Sequence, residues 1–497
     1  MAFNLADLIE HSVDLVPDRA AVVVGDRRVT YAQLEERANR LAHHLAANGV
    51  TQGTHVGIYS HNAIEFIEAM FAAFKLRAVP INVNYRYVAE ELQYLFDNAD
   101  LVALVHQRQF GPLVSQVLPN CPMLKHVVVI EDGSDAEFSG VSYEDALASG
   151  SPERDFAQRS DDDIYILYTG GTTGMPKGVV YRHEDVWRVL GGGIDFTTGE
   201  RVTDEWQQAR TGAEAPAPGV SFPIAPLMHG AGQWGTLNAL FGGNTVVLIP
   251  KFDAHEVWRL VEREKVMTIA VTGDAMARPM VEALREGNYD TSSVIAFSST
   301  AAVFSPSIKD EYLELMPNAF VTEAIGATET GFSGLTMHQK GQKARGGGPT
   351  VNIGPDTIVI DDDGKPIKPG SGEIGRIARS GNVPLRYHKD PEKTAATFVT
   401  IDGTRYSIPG DFARVEEDGT VTLLGRGSNC INSGGEKIYP EEVEGALKSH
   451  PDVFDAIVVG LPDERFGSKV AAVVQPRTGK EPTLQDLDAH VRTKIAG

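Results

Sequence analysis

The stretch Tyr165-Ile166-Leu167-Tyr168-Thr169-Gly170-Gly171-Thr172-Thr173-Gly174-Met175-Pro176-Lys177-Gly178 constrains this chain more than any other. Its apolar opening reads as a buried strand that runs into a loop of glycines and hydroxyl residues. Glycines let successive backbone N–H groups converge on an anion, threonine hydroxyls add neutral donors, and Lys177 adds positive charge. Phosphate oxygens suit that chemistry. The order is not that of a Walker A loop, in which Gly-Lys-Ser/Thr opens a helix, because Lys177 stands between Pro176 and Gly178. Taken alone, a tight turn between sheet and helix explains the glycines equally well.

The flanking sequence predicts an α/β body. Residues 29–49 read as an amphipathic helix, with Thr30 and Gln33 at capping-box spacing and Leu34, Ala38, Leu41 and Leu45 on one face. A strand at 56–59, a helix at 63–75 and a strand at 78–83 form a βαβ pattern. It recurs as a strand at 245–249, a helix opened by Asp253 and Glu256, and a strand at 267–272. Residues 191–219 lack periodicity and predict a long surface loop. Near the end, 411–421 reads as a hairpin turning at Asp418-Gly419, followed by a polar joint at 426–429. A helix at 440–449 and apolar runs at 456–461 and 470–474 complete a small α+β unit. The expected division is an N-terminal domain of several subdomains with mixed, largely parallel sheets over 1–425, a hinge at 426–429 and a C-terminal domain over 430–497.

A length of 497 residues implies several packed units. The net charge of −22 argues against nucleic-acid partners. No apolar run is long enough for a spanning helix, and no basic segment leads an apolar one at the start, so neither a membrane span nor a secretory signal is expected. Two cysteines, Cys121 and Cys430, suit a reducing cytoplasm.

Four stretches in order, Thr169 to Gly178, Pro226-Leu227-Met228-His229-Gly230-Ala231-Gly232, Ile325-Gly326-Ala327-Thr328-Glu329-Thr330, and Gly410-Asp411 with Gly425-Arg426 ahead of Ser433-Gly434-Gly435-Glu436-Lys437, resemble the motifs of the adenylate-forming superfamily. The resemblance covers nearly the whole chain and points to the acyl-CoA synthetase branch. It implies ATP, Mg²⁺ and coenzyme A, and a carboxylic acid activated as acyl-AMP and passed to the thiol of CoA. On this resemblance Thr169, Gly170, Gly171, Thr172, Thr173, Gly174 and Lys177 hold the outer phosphates, Thr328 meets the α-phosphate, and Glu329 helps hold Mg²⁺. Asp411 accepts from the ribose hydroxyls and Arg426 adds a charged donor. Ser299 and Ala302 form one adenine wall; Ile325 stands where the family has an aromatic residue and implies an aliphatic wall opposite. His229 orients the acid, whose surroundings are Gly232, Gln233, Trp234, Thr272, Gly273, Ala324 and Gly326, a set roomy and apolar enough for a fatty or sterol-side-chain acid. Ser428 takes the hinge position, and Ser433, Gly434, Gly435 and Lys437 face the pantetheine arm.

The family's late Pro-x-x-x-x-Gly-Lys lysine has no counterpart before Lys494-Ile495-Ala496-Gly497, so the C-terminal domain is expected to be incomplete and this form to make adenylate slowly. Two other readings share the motifs: an acyl-AMP ligase loading a carrier protein, and a regulator that binds nucleotide without turnover. A homodimer and peripheral membrane contact are compatible with the sequence, although no basic amphipathic stretch supports the latter.

Overall fold

The computed structural model describes residues 3–171, 174–189, 200–302, 304–338, 349–426, 430–433, 436–463 and 467–494. The chain divides into two compact units, Met1–Ile269 with Asn382–Ala396, and Ala270–Gly381 with Thr397–Gly497. Both are built of helices and sheets.

In the first unit, Thr30 caps helix Tyr31–Ala47, its side chain and that of Gln33 closing the capping box as expected. The stripe Leu34, Ala38, Leu41 and Leu45 is wholly buried. Helix Ile64–Lys75 links strands His55–Tyr59 and Val79–Asn82, which pair in parallel. Among the described residues they belong to a parallel sheet that continues through Leu101–Gln107, His126–Ile130 and Val141–Ser142. A second sheet places Thr245–Leu248 between Ala20–Val24 and Val220–Pro223, parallel to both. The two strands of the second βαβ pattern are therefore not direct neighbours, although Asp253 caps the intervening helix Ala254–Glu264 as read.

The expected loop at 191–219 contains helix Gln207–Glu214. Tertiary contacts impose it where local periodicity is weak: Arg19 donates to the Gly212 carbonyl at 3.0 Å, and Trp187 donates to Gln208 at 3.1 Å. Gly212 packs so closely on Gly242 that an added Cβ would lie 1.7 Å from its carbonyl oxygen. Residues 190–199 lie outside the described set.

Charged groups are also buried here. The Lys75 ammonium has no side-chain exposure and contacts Glu10 at 2.5 Å and Glu35 at 2.8 Å, over the Phe71 ring. Arg154 reaches Glu35 at 2.7 Å, and Arg159 bridges Asp7 and Glu10. Each buried charge thus has an opposite charge beside it, without which its desolvation would be prohibitive.

In the second unit, strand Ala296–Ser299 pairs in parallel with Phe320–Ala327. From Phe320–Ala327 the sheet runs antiparallel through Gly331–His338, Thr350–Ile353, Val421–Arg426, Asp411–Val415 and Ile374–Arg379. The expected hairpin turns at Asp418-Gly419, with Gly419 at φ 81° and the Asp418 carboxylate accepting from the Thr420 amide. Helix Pro440–Lys448 and strands Val453–Asp463 and Gly467–Pro476 follow in the order read from sequence, and helix Leu484–Arg492 comes after them. They enclose a small core of Ile431, Leu447, Val453, Ala456, Val458 and Leu487. Among the described residues no helix is long and apolar enough to cross a membrane.

His183 makes the first unit acid-sensitive. It is fully buried, the Leu5 amide donates to its Nδ1 at 3.2 Å, and burial pulls its pKa down to about 4 despite Asp163 nearby. Between the unfolded value near ~6.5 and that lowered value the unfolded chain binds the extra proton, so stability is lost as pH falls through this window. Chemical denaturation at pH 7 and pH 4.5 is expected to show His183 contributing a loss of about 2 kcal/mol. His183→Asn should flatten the pH slope, and an unchanged slope would refute the assignment.

Candidate functional site

The glycine and threonine stretch forms the tip of a β-hairpin. Strand Ile164–Gly171 turns back as Gly174–Arg182, with Tyr168 opposite Gly178, Thr169 opposite Lys177 and Gly171 opposite Gly174. The return strand was not legible in the sequence, because Gly174, Pro176 and Gly178 are poor strand formers. Gly178 is required sterically: a Cβ there would lie 2.9 Å from both Ile166 and the Tyr168 ring. Thr172 and Thr173 lie outside the described residues, and Gly170, Gly171 and Gly174 are described as backbone only.

Two buried asparagines fix this hairpin and the 225–228 segment to the parallel sheet. Asn82 ends strand Val79–Asn82; its side-chain Oδ1 accepts from the Tyr168 amide at 2.8 Å, and its Nδ2 donates to the Tyr168 and Met228 carbonyls at 2.8 and 2.7 Å. Asn62 accepts from the Leu227 amide at 2.7 Å. Asn82 is the last residue of its strand and Asn62 follows strand His55–Tyr59, so both lie at the carboxyl edge at which open α/β sheets bind ligands. Nothing in the sequence marked either one, since a single asparagine after an apolar run reads as a turn residue.

Lys177 reaches Asp390, with Nζ 2.5 Å from Oδ2. Asp390 lies just beyond strand Arg386–Tyr387, which pairs with Val179 and Val180 of the hairpin. The Lys177 contact, together with the Lys393 amide, holds the Asp390 carboxyl below the usual carboxylate range. Asp390 also went unmarked, because its partner lies more than two hundred residues away in sequence.

His229 precedes helix Gly230–Phe241 and is exposed, yet partial desolvation and secondarily Arg86 hold its imidazole below the ordinary histidine range. Gly232 packs on the preceding turn, where a Cβ would meet the Pro226 and Ala225 carbonyl oxygens at 2.4 and 2.6 Å. Gln233 is buried and accepts from the Tyr165 hydroxyl at 2.7 Å, while Trp234 Nε1 donates to that hydroxyl at 3.2 Å. Tyr165, one strand turn before the glycines, thereby sets both side chains.

In the second unit, Gly273 sits at φ 60° and ψ −162°, a conformation open to glycine alone, and its amide donates to Ser299 Oγ at 3.0 Å. Thr272 Oγ1 points to Met276 Sδ at 3.4 Å. Ser299 is buried and Ala302 exposed. Asp274 gathers Arg278, the Ser305 amide and the Ser305 hydroxyl, tying the segment after Ser299 to helix Asp274–Glu286.

Thr328, Glu329 and Thr330 turn a second hairpin, in which Ala327 pairs with Gly331 and a Cβ on Gly326 would lie 2.4 Å from the Gly331 carbonyl oxygen. Thr330 Oγ1 accepts from the Ala327 amide at 3.0 Å, and the Glu329 carbonyl accepts from Ser407 Oγ at 2.6 Å. Glu329 is buried. Ala324 is half-buried, and Ile325 belongs to the core with Val351, Val359, Ile377 and Val421. The surface beside the turn is thus Gly326 backbone, and the aliphatic wall expected of Ile325 faces that core.

Asp411 and Arg426 are cross-strand partners, Nε to Oδ1 at 3.1 Å. Ser428, Gly434 and Gly435 lie outside the described residues, as do the side chains of Ser433 and Lys437. Among the described residues no three His, Cys, Asp or Glu side chains gather as a metal cage. Mg²⁺ needs none, being held by one or two carboxylates with waters and substrate phosphates, and the hard oxygens of Glu329 fit that mode.

Residues 9–385 match the AMP-binding enzyme family and residues 442–497 match the AMP-binding enzyme C-terminal domain. A 3-oxocholest-4-en-26-oate–CoA ligase of Rhodococcus rhodochrous is 61% identical over 506 aligned residues, covering 100% of this chain and 91% of that protein. A medium/long-chain-fatty-acid–CoA/3-oxocholest-4-en-26-oate–CoA ligase of Mycobacterium tuberculosis is 58% identical, with 100% and 91% covered. The ATP-bound crystal structure of MatB from Rhodopseudomonas palustris superposes with a TM-score of 0.82 at 25% identity, covering 100% of this chain and 93% of that one.

Asn82→Ala would leave the Tyr168 amide and the Met228 carbonyl unpaired in a buried setting. The expected cost is about 2–3 kcal/mol in equilibrium denaturation, with ATP-dependent activity lost out of proportion to the folded fraction. A neutral effect on both would refute the anchoring role.

Proposed function

This chain belongs to the AMP-binding enzyme family, and from that premise we propose that it is an AMP-forming acyl-CoA ligase for a bulky apolar acid, a sterol side-chain carboxylate or a medium- to long-chain fatty acid. The carboxylate oxygen attacks the α-phosphorus of ATP and pyrophosphate leaves. The thiol of CoA then attacks the acyl carbon, and AMP leaves.

The observation that carries this reading is the hairpin at Thr169 to Gly178, whose paired strands set Lys177 opposite Thr169 on either side of a tip rich in amides and hydroxyls. Amides and hydroxyls in that number are donors suited to an anion, the electrostatic requirement of phosphoryl and nucleotidyl transfer. The residue roles are proposed one by one. Thr169 and Lys177 hold outer phosphates, and Thr328 donates to the α-phosphate. Glu329 would hold Mg²⁺, which when bound supplies positive charge against the leaving pyrophosphate. Asp411, whose carboxylate is steadied by Arg426, accepts from the ribose. His229, below its usual pKa and thus neutral near pH 7, orients the acid without a permanent charge. Gly232 and Trp234, and separately Thr272, Gly273, Ala324 and Gly326, are proposed as acid contacts. Gln233 serves through its bond to Tyr165. The hinge at 426–429, with the C-terminal domain from 430, belongs to the same proposal.

AMP release measured with 3-oxocholest-4-en-26-oate, palmitate and octanoate, each with ATP and CoA, tests the reading. All three reactions should depend on CoA, and Glu329→Gln should lower them on the order of 10²–10³-fold. Transfer to a carrier protein with none to CoA would favour the carrier-loading alternative, and no turnover with any acid would favour a nucleotide-binding regulator.

A further inference from the structure

The ammonium of Lys177, in the hairpin that we assign to the phosphates, is engaged by a carboxylate of its own unit. The carboxylate is not a chance surface neighbour. The segment carrying it is sewn to the hairpin: the Leu385 amide donates to the Val180 carbonyl and the His388 amide to the Gly178 carbonyl, each at 2.7 Å. Lys389 then adopts φ 53°, a left-handed conformation costly for a side chain with a Cβ, and is held there by Asp100 at 2.7 Å. That turn swings the next residue toward Lys177. The second oxygen of Asp390 is fixed as well, accepting from the Lys393 amide at 2.9 Å, while its carbonyl accepts from the Thr394 hydroxyl at 2.6 Å. Backbone pairing, a strained residue and a helix cap thus all aim one carboxylate oxygen at one ammonium.

We propose that Asp390 is an internal competitor for Lys177: its carboxylate stands where a phosphate oxygen would be met, so that nucleotide must displace it to recruit the lysine, and the pair sets the affinity for triphosphate over monophosphate. The proposal rests on the phosphate-loop reading above. The side chains of Lys177 and Asp390 are 40% and 28% exposed, open enough for an anion to reach the ammonium and for the exchange to be rapid. An ion pair at such a site is weak, which suits a contact that must be given up on binding. Pyrophosphate as product meets the same competition, so Asp390 also hastens its departure.

Titration of the full chain with a non-hydrolysable ATP analogue and with AMP tests this in four forms: wild type, Asp390→Asn, Lys177→Met and the double variant. Asparagine caps helices as well as aspartate does, so the fold is kept; Asp390→Ser, also a capping residue, is the second variant. Asp390→Asn should bind the ATP analogue about three-fold more tightly, the scale of a partly exposed ion pair, with AMP affinity unchanged and a smaller gain on the Lys177→Met background. Weaker analogue binding by both Asp390 variants would make the carboxylate an orienting partner instead and overturn the proposal. Equal effects on ATP analogue and AMP, or additive effects of the two substitutions, would also overturn it. If Lys177→Met leaves analogue affinity unchanged while wild type binds normally, the phosphate-loop assignment falls first, and the competition with it.

Discussion

The amide of Asn82 is the contact on which the first unit's functional surface depends. A side-chain amide carries one acceptor and two N–H donors, and here all are used on main chain: the N–H and C=O of Tyr168 and the C=O of Met228. To Tyr168 it behaves as a strand neighbour would, holding the outer edge of strand Ile164–Gly171, along which no further strand pairs among the described residues. To Met228 it fixes the carbonyl immediately before His229. The strand leading to the tip that we propose for phosphate and the start of the proposed acid site are thereby set relative to each other by one buried residue. Buried polar groups of this kind are stable only when every atom is paired, which makes their geometry intolerant of substitution.

The same economy recurs in the Tyr165 hydroxyl, which donates to Gln233 and accepts from the Trp234 indole. Strand Ile164–Gly171 therefore positions helix Gly230–Phe241 on one face, while its far end leads into the tip proposed to meet phosphate. In the second unit the device is different. The Thr328-Glu329-Thr330 turn is drawn tight by Thr330 on the Ala327 amide and by Ser407 on the Glu329 carbonyl, and Gly326 allows the two strands to approach.

Much of the fold was legible because local and tertiary preferences agree. The Thr30 and Gln33 capping box, the stripe from Leu34 to Leu45 and the Asp418-Gly419 turn occur as their residues require. The helix Gln207–Glu214 was not legible, since its cause is Arg19, Trp187 and the close contact of Gly212, all distant in sequence or invisible to periodicity. The candidate site divides the same way. Motif residues were found from their types and order, whereas Asn62, Asn82 and Asp390 act through partners that only folding brings near. Ile325 shows the converse: its motif position suggested a ligand wall, but alternation along strand Phe320–Ala327 turns its side chain into the core.

The salt-bridged cluster around Lys75 bears on how the first unit assembles. Its members come from residues 7, 10, 35, 75, 154 and 159, four stretches of chain that meet around the buried Lys75 ammonium. An intermediate holding some of these segments and lacking others would strand an ammonium or a carboxylate away from water with no opposite charge. Such species are unfavourable enough to be sparsely populated, so the helices Leu5–Leu15, Tyr31–Ala47 and Ile64–Lys75 and the 150–160 connection form and dissolve together. Limited proteolysis of that connection would then release the whole group as one cooperative event.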